Sequence, residues 1–264
     1  MTEIKMTEIK MTDFERVCEF NRCFDFPMHD NLSDEKCRKL RLDLIEEELN
    51  ELKAAFNQND RIEEQDACAD ILYVAFGMAY TYKLNSDFIM NAAYDVGCEE
   101  IKNPISPISP TFPTYPITDL SYHTPRKETL FKSLRYKTDD RITLLNKLFN
   151  CFYQLKKYTN EQNISAVIVY LHRIIYCVYN FQYVSGYDSD VVFDIVHNSN
   201  MSKLCKNQEE AELTVLDYEM KYKEQLSPYD SPYYYKLDNG MYVVKNKSTG
   251  KALKSINYVK VSLV

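Results

Sequence analysis

Between Ala67 and Tyr82 the chain reads ACADILYVAFGMAYTY, an unbroken apolar run in which Asp70 is the only charge. No proline interrupts it, so it is read as a long helix. It is too apolar to lie on a surface. Such a helix has to be enclosed by others, which points to a helical bundle with this segment at its centre. The difficulty is Asp70. A carboxylate taken out of water without a partner is unfavourable by several kcal/mol. A cation therefore belongs beside it, and that cation can be Arg, Lys or a metal.

The rest of the chain supplies the other helices. Residues 13–26 place Phe14, Val17, Phe20 and Phe24 on one helical face, and Pro27 ends the segment. Ser33 or Asp34 can cap a helix running to about Asn57, with Leu42, Ile45, Leu49, Leu52 and Phe56 as its apolar stripe. After a polar turn at 57–60, the apolar run gives a helix over about 61–82, and a shorter one follows Asn85-Ser86-Asp87. Six of the nine prolines then fall between 104 and 125, which excludes helix and predicts a stiff connector over 103–127. Helical periodicity resumes from about 139 to 200. From about 227 the tail favours strands: Tyr233–Tyr235, Tyr242–Val244, and later Val259 and Val261. Asn239-Gly240 is a hairpin signal and Ser248-Thr249-Gly250 a second turn. The expected division is a frayed start (1–12), a first helical half (13–102), the linker (103–127), a second helical half (128–204) and a C-terminal extension with a β-hairpin (205–264). The fold class is all-α with a small β-appendage.

The two halves align without a gap at an offset of 103. Leu52-Lys53 meets Leu155-Lys156, Ile71 and Tyr73 meet Ile174 and Tyr176, and Ser86-Asp87 meets Ser189-Asp190. Both show the order helix, polar turn, long apolar helix, capping Ser and Asp. The reading is an internal duplication, or else two unrelated helical pairs in one bundle.

Composition removes several classes of function. The net charge of −7 and pI of about 5.3 argue against a nucleic-acid partner. No apolar run approaches the roughly 18 residues of a membrane span, so no membrane partner is expected. With 5 glycines there is no Gly-rich phosphate loop. None of the eight cysteines forms a Cys-x-x-Cys pair, which suits a reduced, cytoplasmic protein without a thiolate metal site.

The acidic residues carry the functional reading. Glu48 and Glu51 share a face of the first long helix, and Glu48 lies roughly 40° from Leu52, at the border of the apolar stripe. On the next helix Glu63, Asp66 and Asp70 fall within about 60° of one another. Two helices offering inward carboxylates make an oxygen-rich site suited to Mg²⁺ or Mn²⁺. The four histidines show no zinc spacing and there is no Glu-x-x-His for a di-iron centre. The alternative is a solvated Glu run beside an ion-paired Asp.

Three segments in order, LRLDLIEEELNEL (40–52), DRIEEQDACADILYVAFGMA (60–79) and FDIVHNSNMSKL (193–204), resemble the all-α nucleoside triphosphate pyrophosphohydrolase superfamily, which includes MazG and dimeric dUTPase. The branch most similar is the phosphoribosyl-ATP pyrophosphohydrolase-like one, and KNKSTGKALKSINY (245–258) is similar to its short tail. The resemblance implies Mg²⁺ held by Glu48, Glu51, Asp66 and Asp70, with Glu47 and Glu63 as neighbours able to substitute. Some families place a Glu where this chain has Ala67, so Asp66 would take that role. It also implies that Asn200 and Lys203 contact the substrate phosphates, with His197 beside them as a contact or a structural histidine. A base pocket would lie near Phe20, Asn21 and Phe24. The implied reaction is hydrolysis of a nucleotide at the α-phosphorus to monophosphate and pyrophosphate, with Glu47 or Glu48 accepting the proton of the attacking water. Hydrolysis of phosphoribosyl-ATP, or an inactive nucleotide-binding scaffold, are the alternatives.

At the offset of 103, Cys151, Gln154, Val169 and Arg173 stand for the four acidic residues, and Gly97 and Glu100 stand for Asn200 and Lys203. One composite site per chain follows, with Arg173 paired internally where the second site is lost. The expected assembly is a monomer with a pseudo-dimeric core, or a homodimer.

Overall fold

The computed structural model describes residues 11–84 and 139–263. The expected short helix after Asp87, the proline-rich connector and the repeated start at 1–10 lie outside the described residues. Those described form seven helices and one two-stranded antiparallel sheet, so the protein is an all-α fold with a small β-hairpin near its C-terminus. The helices are α1 (Asp13–Cys23), α2 (Glu35–Gln58), α3 (Arg61–Thr81), α4 (Arg141–Asn160), α5 (Ile164–Ser185), α6 (Ser189–Met201) and α7 (Gln208–Lys223). The strands are β1 (Pro232–Lys236) and β2 (Tyr242–Asn246).

Each helix starts where a side-chain oxygen satisfies the free amides of its first turn. Thr12 caps α1 in a reciprocal pair with Glu15, Asp34 rather than Ser33 caps α2, and Asp60 caps α3. The helix α3 is central, packing on α1, α2, α5 and α6, while α2 also packs on α4 and α4 on α5. From Ala67 to Tyr82 every residue is buried except Asp70 and Val74. The stripe on α2 behaves as its spacing predicts: Leu42, Ile45, Leu49 and Leu52 are buried and Phe56 is half-buried.

One feature of α5 differs from the sequence expectation. Its 22 residues are long and apolar enough to cross a membrane by length and composition. In this fold Val167, Leu171, Ile174, Ile175, Val178 and Phe181 are instead buried in the helical core. Two helices beside it account for the apolar composition.

The helical hairpins α2–α3 and α4–α5 share their backbone geometry at the offset of 103. Asn59 and Gln162 both turn through the left-handed region (φ 54° and 55°). The amide of Asp60 donates to Ala55 O and that of Asn163 to Tyr158 O, each at 2.9 Å. Past the second helix of each pair, Lys83 and Gly186 again share positive φ, and Leu84 and Tyr187 donate to Ala79 O and Gln182 O, each at 2.9 Å.

The helix α7 is absent from the sequence reading, although Asn207 as its cap and Glu209-Glu210 in its first turn signal it. It packs on the hairpin over a small core of Cys205, Ala211, Val244 and Leu253. Phe24, Leu204 and Val243 join that module to the bundle. The hairpin pairs Tyr234 with Val244, and Gly240 (φ 85°) makes its turn. Val259 and Val261, expected in a strand, are in none. The tail there is held by side chains: Val259 N donates to Ser202 Oγ at 2.9 Å, and Ser199 Oγ donates to Val259 O at 2.8 Å.

The buried acid on the first turn of α3 is Glu64, while Glu63 is exposed. Glu64, 1% exposed, accepts hydrogen bonds from Arg141 on α4 and from the Tyr187 hydroxyl. The Arg141 guanidinium lies over Phe56 and Phe181, 4.9 and 5.2 Å from their ring centres. Arg61 Nη2 donates to Ser185 O at 2.5 Å. This cluster fastens the two helical pairs. Glu64→Ala leaves Arg141 without its acid and is expected to lower unfolding free energy by about 3 kcal/mol in denaturant titrations. The exposed Glu63→Ala should change it by less than about 0.5 kcal/mol.

Candidate functional site

The helices α2 and α3 run antiparallel, so Glu48 and Glu51 on one face Asp66 and Asp70 on the other. Glu48, Asp66 and Asp70 are half-buried, and Glu47, Glu51 and Glu63 stand exposed at the rim. None of these six carboxylates meets a hydrogen-bond donor or ion-pair partner among the described residues, and Glu48 Oε2 and Asp66 Oδ1 are buried with no partner at all. Their neighbours are satisfied: Glu46 pairs with Lys156 at 2.9 Å and Glu64 with Arg141. Fold-holding acids are paired here and the inward quartet is not.

The electrostatics follow from that arrangement. Burial, then the charges of Asp70, Glu51, Glu47 and Asp66, push the Glu48 carboxyl up to about 8. Burial, then Asp66, push Asp70 up to about 7, opposed by the positive charge of Lys203. Glu51 and Asp66 are raised for the same two reasons, burial first and neighbouring carboxylates second. Four acids acting on one another at this depth are a strong cation sink. Among the described residues no three Asp, Glu, His or Cys side chains already surround a single point. Buried carboxylate oxygens without donors fit a hard, oxygen-preferring divalent cation such as Mg²⁺ or Mn²⁺.

The segment after α5 supplies the opposing charge. Lys203, just past α6, holds Asn200 Oδ1 and lies 5.6 Å from the Phe20 ring centre. Burial, against the pull of Asp70, lowers its ammonium to about 8. His197 faces elsewhere: Nδ1 meets the Tyr73 hydroxyl at 3.2 Å and Nε2 lies 3.9 Å from Glu19 Oε2. Burial and the nearby Arg16 lower it to about 4, so the ring is neutral. Of the residues expected around a base, Phe24 is fully buried in the core shared with Leu204 and Val243, and Asn21 is buried with its amide on Val17 O at 2.7 Å. Phe20 is half-buried and packs edge-on to Tyr73 at 5.3 Å. Where the quartet would recur, Arg173 stacks 5.1 Å from the Tyr170 ring centre.

Sequence reasoning missed the lysines of the tail. The charges of Lys251 and Lys254 act on Lys203, and that of Lys260 on Asp66. All three are exposed and without an ion pair among the described residues. Lys251 and Lys254 are held by bonds to β2 and α7 (Asn246 N to Lys251 O, Leu253 N to Val244 O, Lys254 N to the Tyr218 hydroxyl), and Lys260 follows the bonds of residues 258 and 259 to Ser199 and Ser202. The Lys-x-x-Lys spacing in GKALK was the available signal.

Residues 17–93 match the family described as phosphoribosyl-ATP pyrophosphohydrolase, a stretch that contains all six carboxylates. That stretch is a domain of the MazG-like all-α nucleoside triphosphate pyrophosphohydrolase superfamily. The chain is 35% identical over 253 residues to an uncharacterized protein, L479, of Acanthamoeba polyphaga mimivirus, covering 92% of this chain and 91% of that one. No solved structure matches it. Membership supports a nucleotide pyrophosphohydrolase-like function in general terms.

The raised carboxyls make a prediction for this superfamily member without metal. In chelator, the folded state keeps protons on Glu48 and Asp70 that the unfolded chain releases near pH 4. Their contribution to stability is therefore greatest at low pH and falls as pH rises towards about 8, outweighing the opposite contribution of His197. Thermal melts from pH 5 to 8 should show that fall, and Glu48→Gln or excess Mg²⁺ should flatten it.

Proposed function

We propose that this protein hydrolyses a nucleotide at its α-phosphorus, releasing monophosphate and pyrophosphate, with Mg²⁺ or Mn²⁺ held by Glu48, Glu51, Asp66 and Asp70 and with Glu63 at the edge of the set. The observation that carries the reading is the quartet without a hydrogen-bonded or ion-paired partner among the described residues, while the buried acids Asp13, Glu64 and Glu210 each accept a hydrogen bond from another side chain. A scaffold has no use for an arrangement that burial and repulsion both disfavour. A divalent ion bound there offsets phosphate charge and lowers the pKa of water.

The protein's own residues do the rest. Lys203 and Asn200, already in contact, present a cation and an amide to the phosphate chain. Lys251 and Lys254 extend the positive wall along the tail. Glu47, exposed and next to Glu48, accepts the proton of the attacking water, and Glu48 is the second candidate for that step. His197, neutral and engaged with Tyr73, holds α6 against α3 so that Asn200 and Lys203 reach the acids. Phosphoribosyl-ATP is as good a substrate for this reading as a simple nucleoside triphosphate, because the family that matches 17–93 bears its name.

We also read the chain as an internal duplication with one working site. The hairpin turns that coincide at the offset of 103 support it, and so does the complementary loss of acids from one half and of Asn and Lys from the other. The oligomeric state beyond this pseudo-dimeric core is monomer or homodimer. The thiols of Cys18, Cys23, Cys37, Cys68 and Cys205, all unbridged, suit a reducing compartment such as the cytoplasm.

The test is pyrophosphate release from a panel of nucleoside triphosphates and phosphoribosyl-ATP, with Mg²⁺ and with chelator. Wild type should turn over at least one of them only with the metal. Glu48→Ala and Asp70→Ala should each lower kcat/KM by about a thousandfold, equivalent to about 4 kcal/mol. A wild type no faster than these variants on every nucleotide would leave the scaffold reading.

A further inference from the structure

Lysines elsewhere in this chain find acids: Lys39, Lys83, Lys147, Lys156 and Lys221 each pair with a carboxylate. Lys203, Lys251 and Lys254 form no ion pair among the described residues, although the net charge is −7. They stand in one another's fields. The cations acting on the half-buried Lys203 ammonium are Lys254 and then Lys251. Ammonium groups brought together repel, and a partly buried one without a counter-ion is unfavourable. Such a cluster has to be held in place by the fold.

The chain after Lys251 is tied down at short intervals. Leu253, 1% exposed, lies in the core of α7 and the hairpin. Lys254 N donates to the Tyr218 hydroxyl at 3.2 Å, Ser255 Oγ donates to the buried Glu210, and Ile256 N donates to Thr214 Oγ1 at 3.1 Å. Val261 and Leu263 pack on the main helical core. Between these anchors the Lys254 ammonium lies 4.4 Å from the ring centre of Tyr258, within reach of the ring's negative face. The hydroxyl of that same tyrosine lies 3.0 Å from Ser199 Oγ, and Ser199 precedes Asn200. One ring therefore joins Lys254 to the turn that carries Asn200 and Lys203, where Lys203 holds Asn200 Oδ1.

The charges also have an order. The cation acting on Asp70 is Lys203, and Lys203 feels Asp70 on one side and Lys254 on the other. Further along the tail the charge of Lys260 acts on Asp66, so this stretch passes beside the acids. Outward from the carboxylates the sequence of charges is Lys203, then Lys254. A phosphate chain whose reacting phosphorus lies at the acids meets the two lysines in that order.

We propose that Lys254 is a substrate-binding residue which, with Lys203, holds the pyrophosphate end of the phosphate chain. The identity of the substrate rests on the pyrophosphohydrolase reading above; the binding of a pyrophosphate by these two lysines does not. Attack of water on the α-phosphorus forms one P–O bond and breaks the bond to the α–β bridging oxygen. That oxygen keeps the electron pair, and the proton of the water passes to Glu47. The departing pyrophosphate gains the negative charge, and two point-charge ammonium groups face the place where it develops.

The experiment uses the full chain with Mg²⁺. Inorganic pyrophosphate is titrated by calorimetry, with inorganic phosphate at equal ionic strength as the comparison. Wild type should bind pyrophosphate at least tenfold more tightly than phosphate. Lys254→Gln should weaken pyrophosphate at least fivefold at unchanged Tm, since the side chain is exposed. Lys254→Arg should restore it to within twofold, and the exposed Lys223→Gln, which removes the same charge elsewhere, should leave it unchanged. Tyr258→Leu, which keeps the lysine and removes its ring, should weaken pyrophosphate as well. No preference for pyrophosphate in wild type, or an affinity unchanged in Lys254→Gln, overturns the proposal. A kinetic arm separates it from the reading it deepens. On a nucleotide that is turned over, Lys254→Gln should weaken product inhibition by pyrophosphate at least fivefold and leave that by the nucleoside monophosphate unchanged. Equal weakening of both products assigns Lys254 a structural role and overturns the proposal. A protein that binds pyrophosphate through Lys254 but releases none from any nucleotide defeats the pyrophosphohydrolase reading and keeps the site.

Discussion

A carboxylate on a buried helix has to be answered by positive charge, and α3 answers its acids in two different ways. Glu64 and Asp70 are six residues apart on that helix. Glu64 receives Arg141 and the Tyr187 hydroxyl, and its charge becomes a fastener between two pairs of helices. Asp70 receives no donor and only the field of Lys203, and it sits among three other acids. One end of α3 thereby holds two helical pairs together, and its middle keeps carboxylates without partners among the described residues. Paired buried acids and unpaired ones are separable by their partners, even when the sequence around both is equally acidic.

The positive side of the site is assembled from distant stretches of chain. Asn200 and Lys203 stand at the end of α6, and the tail lysines come from some fifty residues later. Residues 251–254 are held against β2 and Tyr218, and the end of the tail by Ser199 Oγ, which donates to residues 258 and 259, and by Ser202 Oγ, which accepts from Val259 N. The β-hairpin and α7 have a mechanical role in this arrangement. They pack on the bundle through Phe24, Leu204 and Val243 and carry the tail whose lysines act on Lys203 and Asp66. Lys203, Lys251, Lys254 and Lys260 thereby bring positive charge beside the carboxylates of an otherwise acidic protein.

The helical hairpins show how little sequence is needed to keep a backbone. Asn59 and Gln162 turn the chain with the same left-handed φ, and Lys83 and Gly186 end the following helices alike, although only Gly186 is the residue that conformation favours. Capping and apolar periodicity preserve the pair of helices. In the second pair Val169 and Arg173 stand at the positions offset by 103 from Asp66 and Asp70.

Periodicity and capping residues determined the helices. Leu42, Ile45, Leu49 and Leu52 could face only inward, and an apolar run such as 67–82 could only be enclosed. The acidic faces of α2 and α3 were legible for the same reason, because helical spacing places Glu48, Glu51, Asp66 and Asp70 beside the apolar stripe. Tertiary structure alone decided which charges are answered. It buried Glu64 rather than Glu63 and turned His197 onto Tyr73. It packed α5 among helices instead of leaving it an apolar span, and it set Lys254 on the ring of Tyr258. Local spacing fixes the direction of a side chain from its own helix. Its partner is fixed by packing between segments far apart in the chain, and no local pattern encodes that.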